Sequence, residues 1–207
     1  MTDIDRNLHV HTWLSTCGRV EQSLANVIPE CAALGFRYVL INDHHHEPAR
    51  DYYAMANYNR RRIAALQPRF PDMRVLLGCE AQMNSPEICS IDEALAAEYE
   101  VVLCAGNHYG VKGVESPSER TPRGYGEHHL RMLAGAIHTG FVDVLVHPFV
   151  YGEAGGVPGH EVRVAFRDGE IADLVALAAS RGVAFELNPR HAEPAAEWFR
   201  ELIQAIR

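Results

Sequence analysis

Asn7-Leu8-His9-Val10-His11-Thr12 is the stretch on which the fold turns. Two histidines one residue apart on a β-strand point to the same face, because side-chain direction repeats every second residue. Leu8 and Val10 take the alternate positions and are expected to face an apolar layer. The pattern fits a strand end carrying metal ligands on one side, and equally a pair of hydrogen-bonded histidines on an ordinary strand. His-x-His alone does not choose between these, so the choice rests on what the remaining strands deliver.

Working outward, Ile4 to Val10 forms a first strand, followed by a loop through Gly18. Pro29 suits the first turn of a helix ending at Leu34, with Gly35 as a left-handed stop. Arg37 to Asn42 is a second strand that runs into Asp43-His44-His45-His46, and Tyr52 to Leu66 is a helix. Arg74 to Cys79 is a third strand ending at Glu80, Ile91 to Tyr99 a short helix, and Glu100 to Ala105 a fourth strand before Asn107-His108-Tyr109. A Gly-, Pro- and Ser-rich loop runs to about Gly126, where a helix with Leu130, Leu133, Ala134 and Ile137 on one face begins. Val142 to Val146 delivers His147-Pro148, and the glycine-rich loop Tyr151 to His160 leads to a helix from Ile171 to Ser180, with Gly182 at its end. A sixth strand, Val183 to Leu187, precedes Asn188-Pro189-Arg190-His191, and a helix from about Pro194 to Ile206 closes the chain.

Strands alternating with helices imply a parallel sheet, so the fold class is α/β. Nearly every strand ends in His, Asp, Glu or Asn, as expected where strand carboxyl ends line the mouth of a barrel. A doubly wound sheet would carry a glycine-rich loop after its first strand, and this chain has none. The expected architecture is a TIM-like barrel with six recognisable β/α units in one domain over residues 1–207.

Composition narrows the function. A formal charge of -8, with Lys112 the only lysine, argues against binding a nucleic-acid backbone. No basic-then-apolar leader and no stretch of roughly 18 apolar residues occurs, so a cytoplasmic protein without a membrane anchor is expected. Five cysteines (Cys17, Cys31, Cys79, Cys89, Cys104) without paired spacing predict reduced thiols, with Cys31 and Cys104 in the core.

Placed on their strands, His9, His11, His44, Glu80, His108 and His147 converge on one mouth as nitrogen and oxygen donors suited to zinc, manganese or iron. A carboxylate such as Glu80 can bridge two metals, and paired metals are the usual device for hydrolysing phosphate esters.

These residues carry a resemblance. Asn7-Leu8-His9-Val10-His11-Thr12 is similar to the first motif of the PHP family, the polymerase-and-histidinol-phosphatase domain (Asp-Leu-His-x-His-Thr/Ser). Asn42-Asp43-His44 resembles its Thr-Asp-His, Gly78-Cys79-Glu80 its Gly-x-Glu and His147-Pro148 its His-Pro, so the likeness runs from Asn7 to about Asn188. It implies a distorted (β/α)7 barrel, two or three divalent ions and a metal-dependent phosphoesterase in which a metal-activated hydroxide attacks a small phosphorylated substrate. It makes His9, His11, His44, Glu80, His108 and His147 ligands, with Glu80 the bridge. Cys17 stands where many members place a histidine or aspartate ligand. A thiolate there would bind a soft divalent metal, and a buried structural cysteine is the other reading.

Two departures stand out. Asn7 replaces an aspartate, and the family's closing Asp-x-His motif on a last strand has no counterpart after Asn188. The expectation is a barrel incomplete at its C-terminus, with a shortened barrel or a substituting His191 as alternatives. Arg190, directly after the sixth strand, is placed to bind phosphate, His46 to assist it, and His191 to supply a proton to the leaving alkoxide. His45, His128 and His129 are expected at the surface, as is the Arg60-Arg61-Arg62 run. Two rival functions remain: a metallohydrolase acting on C–N bonds, and a metal-binding regulatory domain without catalysis.

Overall fold

The computed structural model describes residues 5–47, 50–149, 157–187 and 203–204 of the chain. All six expected strands are present as β1 (Arg6–Val10), β2 (Tyr38–His45), β3 (Arg74–Ser85), β5 (Val101–Ala105), β6 (Val144–Leu145) and β7 (Ala184–Phe185). A short β4 (Ile88–Cys89), absent from the sequence expectation, pairs antiparallel with the far end of β3. The strand order is β1-β2-β3-β5-β6-β7, without a pairing between β1 and β7 among the described residues. The class is therefore α/β, on a parallel sheet. No described helix is long and apolar enough to cross a membrane.

The helices are α1 (Leu24–Ala33), α2 (Tyr52–Leu66), α3 (Glu93–Ala96), α4 (Pro122–His138), α5 (Gly159–Val164) and α6 (Glu170–Arg181). Helix α2 has the expected bounds, capped by Asp51, whose carboxylate accepts the Ala54 N–H at 2.9 Å. Helix α1 begins five residues before Pro29, which lies inside it and not in its first turn; Gly35 does provide the left-handed stop at φ +84°. Helix α4 starts at Pro122 and not near Gly126, because Thr121 Oγ1 accepts the Gly124 N–H at 3.0 Å and Pro122 occupies the first helical position. Helix α5 begins within the stretch expected to be loop.

The chain divides into two compact units, Met1–Ala81 with Ile91–Leu103, and Gln82–Ser90 with Cys104–Arg207. In the first, Leu24, Val27, Ile28 and Cys31 form one stripe of α1 and pack with Val39 and Ile41 of β2, Val75 and Leu77 of β3, and Ile63 and Leu66 of α2. Burying such side chains stabilises by roughly 1.5–3 kcal/mol each. Val10 packs against this core, but Leu8 is 46% exposed, contrary to expectation. The cause is local: the β1–β2 register slips between Asn7 and Val10, where β1 carries one more residue than its partner and the regular alternation breaks.

In the second unit α4 contacts α5 and α6, and buries Met132, Leu133, Ala136 and Ile137. Gly135 is required there, since a Cβ would meet the Pro86 carbonyl oxygen at 2.0 Å. Arg123 of α4 holds Glu170 of α6 through two hydrogen bonds of 2.6 and 2.5 Å.

Candidate metal-binding site

Strand β2 has two faces, and both are used. Val39 and Ile41 face the helices, so Asp43 and His45 follow on that side, while Leu40, Asn42 and His44 point the other way. The β2–β3 register sets His44 beside Glu80, and it continues through His45 and Ala81. Both strands extend past their expected ends, which places Glu80 in mid-strand and buries it to 1% exposure.

One oxygen of Glu80 then gathers three imidazoles. Its Oε2 lies 3.1 Å from His9 Nε2, 3.2 Å from His11 Nε2 and 3.3 Å from His44 Nδ1. His9 Nε2 and His11 Nε2 are 3.1 Å apart, and the His11 and His44 rings stack at 4.4 Å. A divalent ion with arms of about 2.0–2.1 Å sets neighbouring ligand atoms ~3.0 Å apart in an octahedron and ~3.4 Å in a tetrahedron. The His9, His11 and Glu80 separations of 3.1–3.2 Å fall in that interval, so these three donors could hold an ion.

The helix-facing side fixes these donors. Asp43, buried, accepts from Thr12 N at 2.6 Å, Thr12 Oγ1 at 2.9 Å, Ser15 Oγ at 2.8 Å and Asn59 Nδ2 of α2 at 2.9 Å. Because Ser15 Oγ gives its proton to Asp43, it accepts from the His44 N–H at 3.0 Å and from His11 Nδ1 at 3.4 Å. His11 is thereby held as the Nδ1–H tautomer, with Nε2 as the lone-pair nitrogen toward Glu80. Burial lowers the His11 pKa, which keeps the ring neutral, as a ligand requires. Asn42, fully buried, accepts the Val10 N–H at 2.6 Å and so ties the slipped part of β1 to β2.

His45 is buried, against the expectation of surface exposure. Its Nδ1 donates to the Asp43 carbonyl at 2.9 Å, Nε2 accepts from Tyr99, and the ring stacks on Tyr52 at 4.1 Å. Burial lowers its pKa to about 4. His46 is partly buried, with its ring edge-on to His44 at 5.1 Å and Nε2 3.4 Å from Thr16 Oγ1. Cys17 is exposed, which removes the buried structural reading, and burial of its sulfur nonetheless raises its pKa. It forms a converging group with His11 and His44, the three ligand atoms lying within 4.8 Å of one another. Arg60 is engaged, reaching Glu98 Oε2 at 2.7 Å, while Arg61 and Arg62 are exposed as expected.

In the second unit His108 and His147 lie together, their rings 5.2 Å apart. Gln82 Nε2 donates to Asn84 at 3.0 Å, which leaves its Oε1 to accept from His108 Nδ1 at 3.2 Å. Asn107 Nδ2 donates to the His147 carbonyl at 3.2 Å, so its Oδ1 accepts from His147 Nδ1 at 3.0 Å. Both rings therefore carry the proton on Nδ1 and leave Nε2 as the lone-pair nitrogen. His147 and Phe149 adopt φ of +32° and +68°, a conformation costing of order 1–3 kcal/mol per residue. It is held by Glu186 Oε2 on the His147 N–H at 2.6 Å and by His129 Nε2 on the Phe149 N–H at 3.4 Å.

His128 and His129 are buried, not solvent-facing. With α4 starting at Pro122 they fall on its inward stripe, one turn before Met132 and Leu133. His128 is set between Tyr109 and Glu115, each at 3.1 Å, and His129 donates from Nδ1 to the Gly106 carbonyl at 3.0 Å. Burial lowers the His129 pKa to about 3.

Arg190 and His191 lie outside the described residues. The residues that sequence reasoning missed are those supporting the ligands: Asp43, Ser15, Asn59, Gln82, Asn107 and Glu186. Strand parity could have indicated Asp43, which precedes a ligand candidate and must face the opposite way; Ser15 and Asn59 carry no such signal. No family model matches the chain, and no curated protein matches it in sequence.

Proposed function

We propose that the protein is a metal-dependent phosphoesterase of the PHP type, a hydrolase built on a distorted barrel. The observation that carries this reading is the meeting of His9, His11 and His44 nitrogens on one buried Glu80 oxygen within 3.1–3.3 Å. Donors on β1, β2 and β3 and, in His11, just after β1 give a nitrogen-rich set with one fixed negative charge, suited to zinc, manganese or iron. When bound, such ions supply Lewis acidity for phosphate oxygens and lower the pKa of water.

The chain's own groups have distinct tasks. Glu80 contributes the charge that holds divalent cations, and its burial makes that attraction strong. His11 keeps its lone pair aimed at the site because Ser15, oriented by Asp43, occupies its other nitrogen. His46, beside His44, is assigned to a substrate phosphate oxygen, and Arg190 and His191 to phosphate binding and to protonation of the leaving alkoxide. His108 and His147, each with Nε2 prepared as an acceptor, are assigned as metal ligands of the second unit. The substrate is a small phosphate ester, and five free cysteines suit a cytoplasmic setting.

The test is hydrolysis of p-nitrophenyl phosphate by metal-depleted protein reconstituted with manganese or zinc, alongside metal content by mass spectrometry. Wild type should turn over with metal, and His9→Ala and His44→Ala should lose both metal and turnover. Stoichiometric metal without hydrolysis of any phosphate ester would leave a binding domain and overturn the catalytic reading.

A further inference from the structure

Tyr109-Gly110-Val111 and Lys112-Gly113-Val114 repeat one x-Gly-Val unit in the loop after β5, and the repeat has a structural counterpart. Val111 N–H donates to the His108 carbonyl and Val114 N–H to the Val111 carbonyl, each at 3.1 Å, so the loop makes two consecutive four-residue turns. Gly110 and Gly113 take φ of +90° and +93° at the third position of these turns, a conformation that calls for glycine. Tyr109 and Lys112 hold the equivalent second positions, but their side chains differ in fate. The Tyr109 hydroxyl meets Nδ1 of buried His128 at 3.1 Å. His128 Nε2 donates to Glu115 Oε1 at 3.1 Å, and the Glu115 N–H donates to the Asn84 carbonyl at 2.7 Å. One imidazole thus closes both ends of the double turn. Lys112, the only lysine of the chain, is exposed between those ends and has no hydrogen bond or ion pair among the described residues. The first turn holds the Cα atoms of His108 and Val111 within roughly 7 Å, which keeps Lys112, one residue on, close to His108.

We infer that Lys112 is a substrate-binding residue whose ammonium pairs with the phosphate of an ester held at His108 and His147, and that His128 is the positioning residue of its loop. The inference rests on the phosphoesterase reading above and gives the second unit a fixed cation for the substrate. A chain of net charge -8 repels a dianionic ester at long range, so an uncompensated positive group beside the ligands favours capture. An ammonium meets phosphate as a compact point charge, without the directional fork of a guanidinium. Pinning both ends of the loop on His128 lowers the entropy that ordering the charge would otherwise cost.

The experiment uses the full chain loaded with zinc, inorganic phosphate as the probe and an amine-selective acylating reagent. Lys112 and the N-terminal amine are the only aliphatic amines of the chain, and peptide mass spectrometry reads them separately. Saturating phosphate, with binding followed by calorimetry, should slow labelling of Lys112 roughly 10-fold and leave the N-terminal amine unchanged. With p-nitrophenyl phosphate as substrate, Lys112→Met should raise KM roughly 10-fold with a far smaller change in kcat, and Lys112→Arg should restore most of the loss. Glu115→Gln, which loosens the clasp from its exposed end, should raise KM by a smaller factor. An unchanged Lys112 labelling rate with phosphate bound, or a wild-type KM in Lys112→Met, would overturn the inference and leave the phosphoesterase standing. A zinc-loaded wild type that neither binds phosphate nor turns over would remove both.

Discussion

The two histidine groups solve one problem by different means. The group in the first unit is centred on a buried carboxylate, and its histidines sit on or just after strands whose register places them: His44 is beside Glu80 because β2 and β3 pair residue for residue. The His108–His147 pair is oriented by side-chain amides, and His147 reaches its place through left-handed backbone. The β2–β3 pairing places His44 and Glu80 by regular register, but the buried Glu80 must be compensated, and the Asp43 network has to hold the surrounding loop. The second arrangement is not centred on a buried carboxylate and stores its cost in φ angles restrained by Glu186 and His129. The difference teaches that a histidine group can be anchored by electrostatics or by backbone geometry, and the two should fail differently.

The largest effect is expected from Glu80→Gln, which removes the charge that distinguishes the first group. Metal affinity should fall by more than the ~100-fold seen when only supporting residues are changed. Calorimetric zinc titration checks this; unchanged affinity would show that the carboxylate is not central. Asp43→Ala comes next, leaving at least two buried donors without an acceptor at ~1–3 kcal/mol each, so urea unfolding should show a loss of about 3 kcal/mol. A loss under 1 kcal/mol would mean that water replaces the carboxylate.

Acid should act on both units. His45 and His129 are held neutral by burial, with pKa values of about 4 and about 3 against 6.5 ordinarily. As pH falls below 6.5 the unfolded chain takes up protons that these folded rings refuse. Stability should therefore decline from pH 6.5 to about 4 through His45 and on to about 3 through His129, with no further contribution below. In metal-free protein, His45→Gln should flatten the upper part of that slope, and a slope identical to wild type would contradict the neutral assignment. The smallest effect is expected from Asn107→Ala, which frees the His147 ring: roughly 10-fold weaker metal binding with little change in unfolding. If it instead unfolds the protein, the amide is a structural clamp on the left-handed turn.

Much of the architecture was legible because apolar β-rich runs and helix-length segments alternate, and those patterns depend on local chemistry. The bounds of α2 agree with the expected Tyr52–Leu66 helix. Helix α4 starts four residues before its expected position because its start depends on a cap, Thr121 with Pro122, in a stretch that otherwise looks like loop. That shift alone turned His128 and His129 from presumed surface residues into buried ones. Strand β4 is two residues long, too short for any alternation to register.

The sequence by itself picks out His9, His11, His44 and Glu80 as candidate metal ligands, from strand parity, strand position and a motif likeness. It could not determine what holds them. Asp43 meets Thr12, Ser15 and Asn59 across as many as 31 positions of chain, and only packing of α2 and the first loop against one face of β2 brings them together. Hydrogen-bond partners at such separations leave no periodic trace, because they are set by where elements dock and not by which elements form. The tertiary structure alone therefore decided the tautomer of His11, the exposure of Cys17 and the crowding of three nitrogens around one oxygen.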